Sequence, residues 1–346
     1  MYSLYQSPIR ETLQVEIYWK PHGFTRIFGK EYFYLIKEKK IWPFSFREFQ
    51  AIGVEMPDNW DEVRKGLKKL KKEFGGKRGN IFFQLGFVNE ITSFDNARAR
   101  EQNIVGKVKS MRLHTRNLIH KETPLKLAFK ENMPQTTIMI NLSKNDDQLL
   151  KEMNNGCANR VKKAIKKGIK VRLWDHDDYD TFFKKRQVTA NGKGFSTITK
   201  PQYDRLLQVL EEKQCGNIFI SELDEEIIAG SICLYHGNTI VYLYGFTDRK
   251  YTNMGGHHYL KYAMFERARD RWFEYCDLMG WAPTGFPEHP LVGVSKFKES
   301  LWWMKREFYG NYDLVLNPLL YYLFKWFYYL KKSHLLNKLL FWKNKA

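Results

Sequence analysis

The order of strand-like and helix-like segments between Thr136 and Leu278 is the feature that most constrains the fold of this chain. β-branched and aromatic residues dominate the strand-like segments, whereas apolar residues recur three or four positions apart in the helix-like ones. The segments are, in order, strand 137–142, helices 146–153 and 159–167, strands 169–174, 217–221, 227–235 and 239–244, helix 259–272 and strand 275–278. This order predicts an α/β (α+β) fold built on a mixed sheet.

Local patterns refine two of these helices. Ser143-Lys144-Asn145-Asp146 has the register of a capping box, with Asp146 in place of the usual Glu. The helix that follows Gly156 should turn Val161, Ala164 and Ile165 inward, because these apolar residues share one face. The lysines between them then lie on the solvent side.

The first 135 residues alternate in the same way. Residues 32–36 and 81–85 are typical of strands. Asn59 begins a helix whose apolar stripe is Val63, Leu67, Leu70 and Phe74. Residues 89–131 are polar and predict either a long loop or a helix with extended connectors.

The length of 346 residues exceeds what one core usually serves, so we expect more than one domain. The composition shifts predict an N-terminal domain at 1–135, a C-terminal domain at 136–316 and a basic, aromatic helix or tail at 317–346. Residues 319–330 form the longest apolar run, which is too short to span a bilayer.

The charge balance predicts anionic partners. Lys and Arg number 57 against 38 Asp and Glu, a net charge of +19, which favours encounter with nucleic acid, phosphorylated ligands or an anionic membrane surface. A lysine-rich genome explains the same excess without any such partner.

The four cysteines contain no CxxC pair, and the first residues lack the pattern of a signal peptide. Both observations favour a reduced, cytoplasmic setting.

One acidic cluster needs a choice between metal binding and helix capping. Asp175-His176-Asp177-Asp178 stands between a strand and a helix that begins near Phe182. Aspartates in that position are commonly N-caps. We therefore predict capping and no metal site.

Three groups of motifs stand out in the C-terminal part of the sequence. The first group is residues 137–143, Leu149-Leu150-Lys151-Glu152-Met153, Asn159-Arg160-Val161-Lys162-Lys163-Ala164 and Lys167-Gly168-Ile169-Lys170-Val171. The second is Ile228-Ala229-Gly230-Ser231 with Val241-Tyr242-Leu243-Tyr244-Gly245-Phe246. The third is Tyr275-Cys276-Asp277-Leu278-Met279-Gly280, Gly293-Val294-Ser295-Lys296-Phe297-Lys298 and residues 309–315. Together they span residues 136–320, and in this order the chain resembles the Fem-type aminoacyltransferases (FemA, FemB and FemX). Gln6-Ser7 adds a weak match near the start.

The resemblance implies two tandem GNAT-like domains with mixed sheets and a C-terminal helix that packs back on the first domain. It implies transfer of an amino acid from aminoacyl-tRNA to the stem-peptide amine of a peptidoglycan precursor, either UDP-MurNAc-pentapeptide or its lipid-linked form, with no further cofactor. The chain lacks a heptad run, so it is more similar to the compact FemX type. A lipid-linked acceptor would bring the enzyme to the inner face of the membrane.

The resemblance also implies site residues. Lys298, beside Phe297, matches the lysine that would stabilise the oxyanion of the transfer reaction. Tyr203 and Tyr244 match tyrosines of the acceptor pocket, and we expect Tyr242 to share a strand face with Tyr244. The family often has an arginine where this chain has Thr199, and Lys200 stands beside it as a candidate substrate-binding residue. The candidates for phosphate contact with tRNA or a nucleotide-sugar diphosphate are Arg160, Lys162, Lys163, Lys166 and Lys167. Ordinary surface or core roles explain each of these residues equally well without the family.

Two other functions remain open at the level of sequence. Asn253-Met254-Gly255-Gly256 before a helix is weakly similar to a pyrophosphate-binding loop, which would suit an acyl-CoA-dependent N-acyltransferase. A non-catalytic RNA-binding or membrane-binding protein on the same scaffold is the second. In the tail, we expect residues 319–330 to pack on the protein and the basic segment after Lys331 to contact the membrane surface.

Overall fold

The structure, a computed structural model, describes residues 22–41, 44–95, 104–193, 198–282, 292–301 and 304–332. The described chain forms two compact units. Unit 1 takes the described parts of 90–110 and 134–308; unit 2 takes those of 20–89, 111–133 and 309–332. Each unit combines separate stretches of chain. The division into domains with boundaries after residues 135 and 316 stays a prediction.

Unit 1 contains a mixed sheet with helices on its faces, as the sequence predicts. Its strands, in chain order, are β6 (Thr136–Asn141), β7 (Lys170–Leu173), β8 (Gly216–Leu223), β9 (Glu226–His236), β10 (Thr239–Thr247), β11 (Tyr275–Asp277) and the start of β12 (Met304–Val315). Their spatial order is β12-β6-β11-β10-β9-β8-β7. Only the β10–β11 pair is parallel among the pairs described in this unit.

The helices of unit 1 are α3 (Asp146–Glu152), α4 (Asn155–Lys166), α5 (Tyr179–Lys193), α6 (Lys200–Lys213), α7 (Gly256–Asp270) and α8 (Val292–Ser300). Two apolar clusters form their interfaces with the sheet. One joins α3, α4 and α7 to β6, β9 and β10, and the other joins α5 and α6 to β8, β9 and β10.

A β-bulge at Leu243 changes the direction of the side chains along β10. Tyr242 is paired with Cys233 and Tyr244 with the adjacent Ile232, so Leu243 is the extra residue. Tyr242 consequently packs against the α7 cluster, and Tyr244 packs against the α5–α6 cluster. The prediction that the two tyrosines share a strand face is wrong, because a sequence pattern of period two does not reveal an inserted residue.

The strands of unit 2 also run in mixed directions. They are β1 (His22–Ile27), β2 (Lys30–Ile41), β3 (Phe44–Val54), β4 (Asn80–Asp95), the later part of β12, and the short β5 (Lys126–Leu127) paired with β12. Helix α1 (Trp60–Phe74) packs on these strands and buries Val63, Leu67, Leu70 and Phe74, as predicted. The Asn59 side chain accepts a hydrogen bond from Asp61 N at 2.8 Å and so caps the helix.

Helix α2 (Ile104–Glu122) occupies much of the polar segment for which the sequence left loop and helix open. The C-terminal helix α9 (Pro318–Lys332) packs within unit 2 against Ile81, Phe82 and Phe129. The expected packing of the terminal helix on the N-terminal part of the chain is therefore confirmed. Membrane contact is predicted for the segment after Lys331; the part of it beyond Lys332, and Gln6-Ser7, lie outside the described residues.

Two local predictions need correction. The capping box of α3 is formed by Asn145 and Gln148, two positions later than predicted, because Asn145 Oδ1 accepts from Gln148 N and Gln148 Oε1 from Asn145 N. Ile165 is about half exposed, and Cys157 takes its place on the buried face of α4 with Val161 and Ala164. The helix begins at Asn155, which brings Cys157 onto the face that packs against α7.

The predicted capping role of the acidic cluster is confirmed at a 3₁₀ turn, His176–Asp178, which leads directly into α5. Asp175 Oδ1 accepts from Asp177 N at 3.1 Å, and Asp178 binds both terminal nitrogens of Arg172 at 2.6 and 2.7 Å. This ion pair, through hydrogen bonds from Arg172, lowers the pKa of Asp178 against the opposing effect of burial. Within the described residues, no group of three or more His, Cys, Asp or Glu is placed to hold a metal ion.

Candidate active site

A cavity of about 490 Å³ opens in unit 1 where β10 and β11 separate. The two strands pair only from Thr239 to Val241, after which β10 continues through its bulge while the chain after β11 diverges. The lining comes from β10, from α4, α5, α7 and α8, and from the 3₁₀ turn Arg249–Met254. Its basic members are Arg160, Arg186, Arg249, Lys261 and Lys298; no Asp or Glu is among the described residues that line it. Such a cavity favours an anionic group or a developing negative charge.

Lys298 is buried at the edge of this cavity, with only 5% of its surface exposed. Its Nζ donates to the carbonyl oxygens of Met279 and Gly280, at 2.8 and 2.6 Å. These two acceptors fix the amine on α8 against the chain that follows β11. They leave one position on the nitrogen, which carries a lone pair when the amine is neutral and a third N–H when it is charged.

Burial lowers the pKa of Lys298 to about 7. Asp277 opposes that effect, and the neighbouring Lys261 adds to it. Asp277 is itself held in place by Thr137 and by Met279 N, and burial raises its pKa. Both groups are displaced toward their neutral forms because desolvation outweighs their mutual attraction. Lys298 can therefore gain or lose a proton near neutral pH.

Lys261, on α7, is a second buried amine of the same cavity. Its Nζ donates to Ser231 Oγ at 3.0 Å and lies 3.2 Å from the centroid of the Tyr242 ring. Burial lowers the pKa of Lys261 to about 8. The bulge at Leu243 contributes to this arrangement, because it leaves Tyr242 on the α7 side of the sheet.

Phe297 packs against two histidines at the start of α7. Its ring centroid is 4.4 Å from that of His257 and 5.2 Å from that of His258. Arg160 Nη1 lies 3.4 Å from His258 Nε2. Burial, with the charge of Arg160, lowers the pKa of His258 to about 4, so the imidazole is neutral at neutral pH. Phe297 and Arg160 thus line the same cavity as Lys298.

Tyr244 also lines the cavity, and the guanidinium of Arg186 lies 4.8 Å from its ring centroid. This contact places a cation on the α5 side of the bulge and a second, Lys261, on the α7 side. Four of the predicted residues, Arg160, Tyr244, Phe297 and Lys298, are therefore together. Their roles stay predictions, but their common location does not depend on the family resemblance.

Tyr203 and Lys200 are not brought to this cavity. Tyr203 is 1% exposed and packs among Tyr179, Phe182 and Phe183 between α5 and α6. Lys200 lies at the start of α6, where its Nζ contacts Tyr179 and pairs with Asp204 at 3.2 Å. Thr199 is the N-cap of that helix. The structure places these residues in helix packing and capping.

The glycines before α7 also have a packing explanation. Gly255 has φ +83°, and a Cβ there would lie 2.3 Å from the carbonyl oxygen of Arg160. A Cβ on Gly256 would lie 2.5 Å from Ile228 Cδ1. Arg160 of α4 and Ile228 of β9 approach the start of α7 so closely that only glycine fits at these two positions. This packing explains both glycines without a pyrophosphate-binding role.

Sequence reasoning missed Lys261, Arg186 and Arg249 as lining residues. A signal for Lys261 was present, because it stands on the buried face of α7 with Leu260, Met264 and Phe265. A lysine among core positions needs a partner or a function. Arg186 and Arg249 had no comparable signal in a chain with 57 basic residues.

The fold and the cavity together define a structural class for this protein. They define an α/β protein of two compact units, in which one unit holds a basic cavity with two buried amines at a split between parallel strands. A crystal structure of FemX shares this fold, with a TM-score of 0.69 at 16% identity over 93% of this chain and 94% of that one.

The FemAB family model matches residues 122–224 and 208–329, and the chain belongs to the FemAB family. Curated relatives include the Lipid II:glycine glycyltransferases of Staphylococcus aureus. The protein of strain USA300 is 20% identical over 265 residues, which cover 56% of this chain and 63% of the relative. Another Lipid II:glycine glycyltransferase of Staphylococcus aureus is 19% identical, with the same 56% of this chain and 63% of the relative covered. The chain thus spans under two thirds of these relatives' length.

Proposed function

We propose that the protein is a non-ribosomal aminoacyltransferase that moves an amino acid from aminoacyl-tRNA to the stem-peptide amine of a peptidoglycan precursor. The observation that carries the proposal is Lys298, a buried amine held by two carbonyl oxygens at a cavity whose described lining contains five basic residues and no carboxylate. Membership in the FemAB family and the similarity to glycyltransferases named for lipid II support the acceptor class.

The donor ester is already activated, so the enzyme needs to position two substrates and stabilise charge. The acceptor nitrogen attacks the ester carbonyl carbon, and the carbonyl oxygen becomes the oxyanion of a tetrahedral intermediate. Neutral Lys298 accepts the proton that the attacking nitrogen loses. The resulting ammonium stabilises the oxyanion. When the C–O bond to the ribose breaks, the proton passes from Lys298 to the departing ribose oxygen, and the amide remains.

The low pKa of Lys298 suits both steps, because an amine with a pKa near 7 accepts and releases protons readily at neutral pH. Arg160 and Arg186 supply fixed positive charge to the cavity for the phosphate-bearing parts of either substrate. Such contacts bind phosphate without reading sequence.

An assay with matched donors and acceptors tests the proposal. Purified protein would be given a pool of tRNA charged with radiolabelled amino acids, or a set of labelled acyl-CoA thioesters, together with UDP-MurNAc-pentapeptide or a lipid-linked precursor. We expect label on the stem peptide only with charged tRNA. Transfer from acyl-CoA would contradict the proposal, as would no transfer with any donor and either acceptor.

A further inference from the structure

The outer face of α9 has no part in the proposed reaction and carries six exposed large apolar side chains. Leu319 is 72% exposed, Trp326 and Phe327 are each 57% exposed, and Tyr322 is 51% exposed. Leu323 and Tyr329 continue the same face. A contiguous apolar face of this size on one helix marks an interaction surface.

The inner face of α9 holds the helix firmly to unit 2, so the outer face has a fixed orientation. The Tyr321 hydroxyl donates to buried Asp313 at 2.9 Å. Phe324 packs on Phe82 and Phe129, and Lys130 Nζ lies 5.3 Å from the Phe82 and Phe324 ring centroids. The outward aromatic residues therefore lie on a helix whose other face is packed against unit 2.

The charge around this face selects the kind of partner. Helix α9 contains Lys325, Lys331 and Lys332 and no acidic residue, and Lys126 Nζ lies 4.7 Å from the Tyr322 ring centroid. In the sequence, residues 318–346 contain six lysines and neither Asp nor Glu. Trp and Tyr favour the boundary between acyl chains and headgroups, and each lysine near an anionic leaflet adds about 1 kcal/mol of attraction.

We propose that the outer face of α9 docks unit 2 onto an anionic bilayer surface, with the helix lying in the plane of the interface. Leu319, Trp326 and Phe327 enter the headgroup boundary, and the flanking lysines contact lipid phosphates. No helix among the described residues is long and apolar enough to cross a membrane. The docking is independent of the proposed chemistry and would hold if the donor or acceptor proved different.

Vesicle co-sedimentation of the full chain tests this docking. Phosphatidylcholine vesicles with and without phosphatidylglycerol would be compared, for wild type and for a double variant, Trp326→Ser with Phe327→Ser. We expect binding to the anionic vesicles that falls about tenfold or more in the double variant. Trp272→Ser is the matched control, because Trp272 is 91% exposed in unit 1, and its binding should equal that of wild type.

Gel filtration and thermal unfolding would establish that the double variant folds. Fluorescence quenching by brominated phosphatidylglycerol is a second readout that does not use the double variant. Quenching of wild-type tryptophan fluorescence should decrease in Trp326→Phe. Equal vesicle binding by wild type and the double variant would overturn the proposal. A wild-type protein that is dimeric in gel filtration, with a double variant that is monomeric, would also overturn it, because α9 would then be an interface between two copies.

Discussion

Lys298 shows how a single residue can be costly for stability and useful for chemistry. Its amine is nearly excluded from solvent, and two carbonyl oxygens only partly replace the water that it loses. The cost appears as a pKa near 7. Sites of this kind are often retained for function despite their effect on folding.

The pKa of Lys298 predicts a pH dependence of stability. Between about pH 7 and the ordinary lysine pKa near 10.5, the unfolded chain binds this proton and the folded chain does not, so stability rises with pH in that window. Relative to Lys298→Met, wild type should gain up to about 1.4 kcal/mol of unfolding free energy per pH unit there. Urea unfolding at several pH values measures the difference; a difference that is constant with pH would show that Lys298 stays charged in the folded protein.

Lys261 gives a second prediction at the residue scale, because its charge contributes to the lowered pKa of Lys298. Removing that charge in Lys261→Met should raise the pKa of Lys298. The rising limb of the pH–rate profile, which reports the neutral form of Lys298, should move to higher pH. Steady-state transfer rates across a pH series from acid to alkaline conditions measure the limb. A variant that loses activity with an unmoved limb would give Lys261 a structural role only.

At the scale of elements, regular periodicity was predictable and its interruptions were not. The stripe of α1 and the succession of strands and helices along the chain of unit 1 follow from residue spacing, and the structure confirms both. The bulge at Leu243 is an inserted residue that a pattern of period two does not reveal, and the start of α4 is set by Asn154, whose side chain accepts from Cys157 N at 2.8 Å. These two details decide where Tyr242, Tyr244 and Cys157 point.

Gly255 offers a test of packing at the start of α7. Gly168 has a similar positive φ, +75°, but a Cβ there meets nothing within 4 Å, whereas at Gly255 it would lie 2.3 Å from Arg160 O. Gly168→Ala should therefore lose about 1 kcal/mol, the backbone cost alone. Gly255→Ala should lose at least ~2 kcal/mol more, because backbone must shift. Thermal unfolding of both variants measures this; equal losses would remove the steric argument.

At the scale of the whole molecule, the sequence motifs located part of the cavity lining, and the fold was needed to locate the rest. Lys298, Phe297, Tyr244 and Arg160 were predicted through motifs and do meet. Lys261, Arg186 and Arg249 come from separate elements, and only the fold shows that they face the same space. Tyr203 matched a motif equally well and lies in the core.

The net charge of +19 makes a prediction for donor binding. If the basic residues contact tRNA phosphates, the logarithm of affinity should fall linearly with the logarithm of salt, by roughly 0.7–0.9 for each phosphate neutralised. Filter binding of charged tRNA between 50 and 200 mM salt, about the range over which such contacts weaken strongly, measures the slope. A flat response would show that the charge serves another purpose.

The most direct measurement is transfer of a radiolabelled amino acid from charged tRNA to muramyl-pentapeptide by wild type, Lys298→Ala and Lys68→Ala. Lys68 is a solvated lysine of α1 and serves as the matched control. We predict tRNA-dependent product with wild type and Lys68→Ala and a loss of about 10²-fold or more in kcat with Lys298→Ala, the scale for removing a group that stabilises an oxyanion. Undiminished transfer by folded Lys298→Ala would contradict the role of this lysine in the reaction.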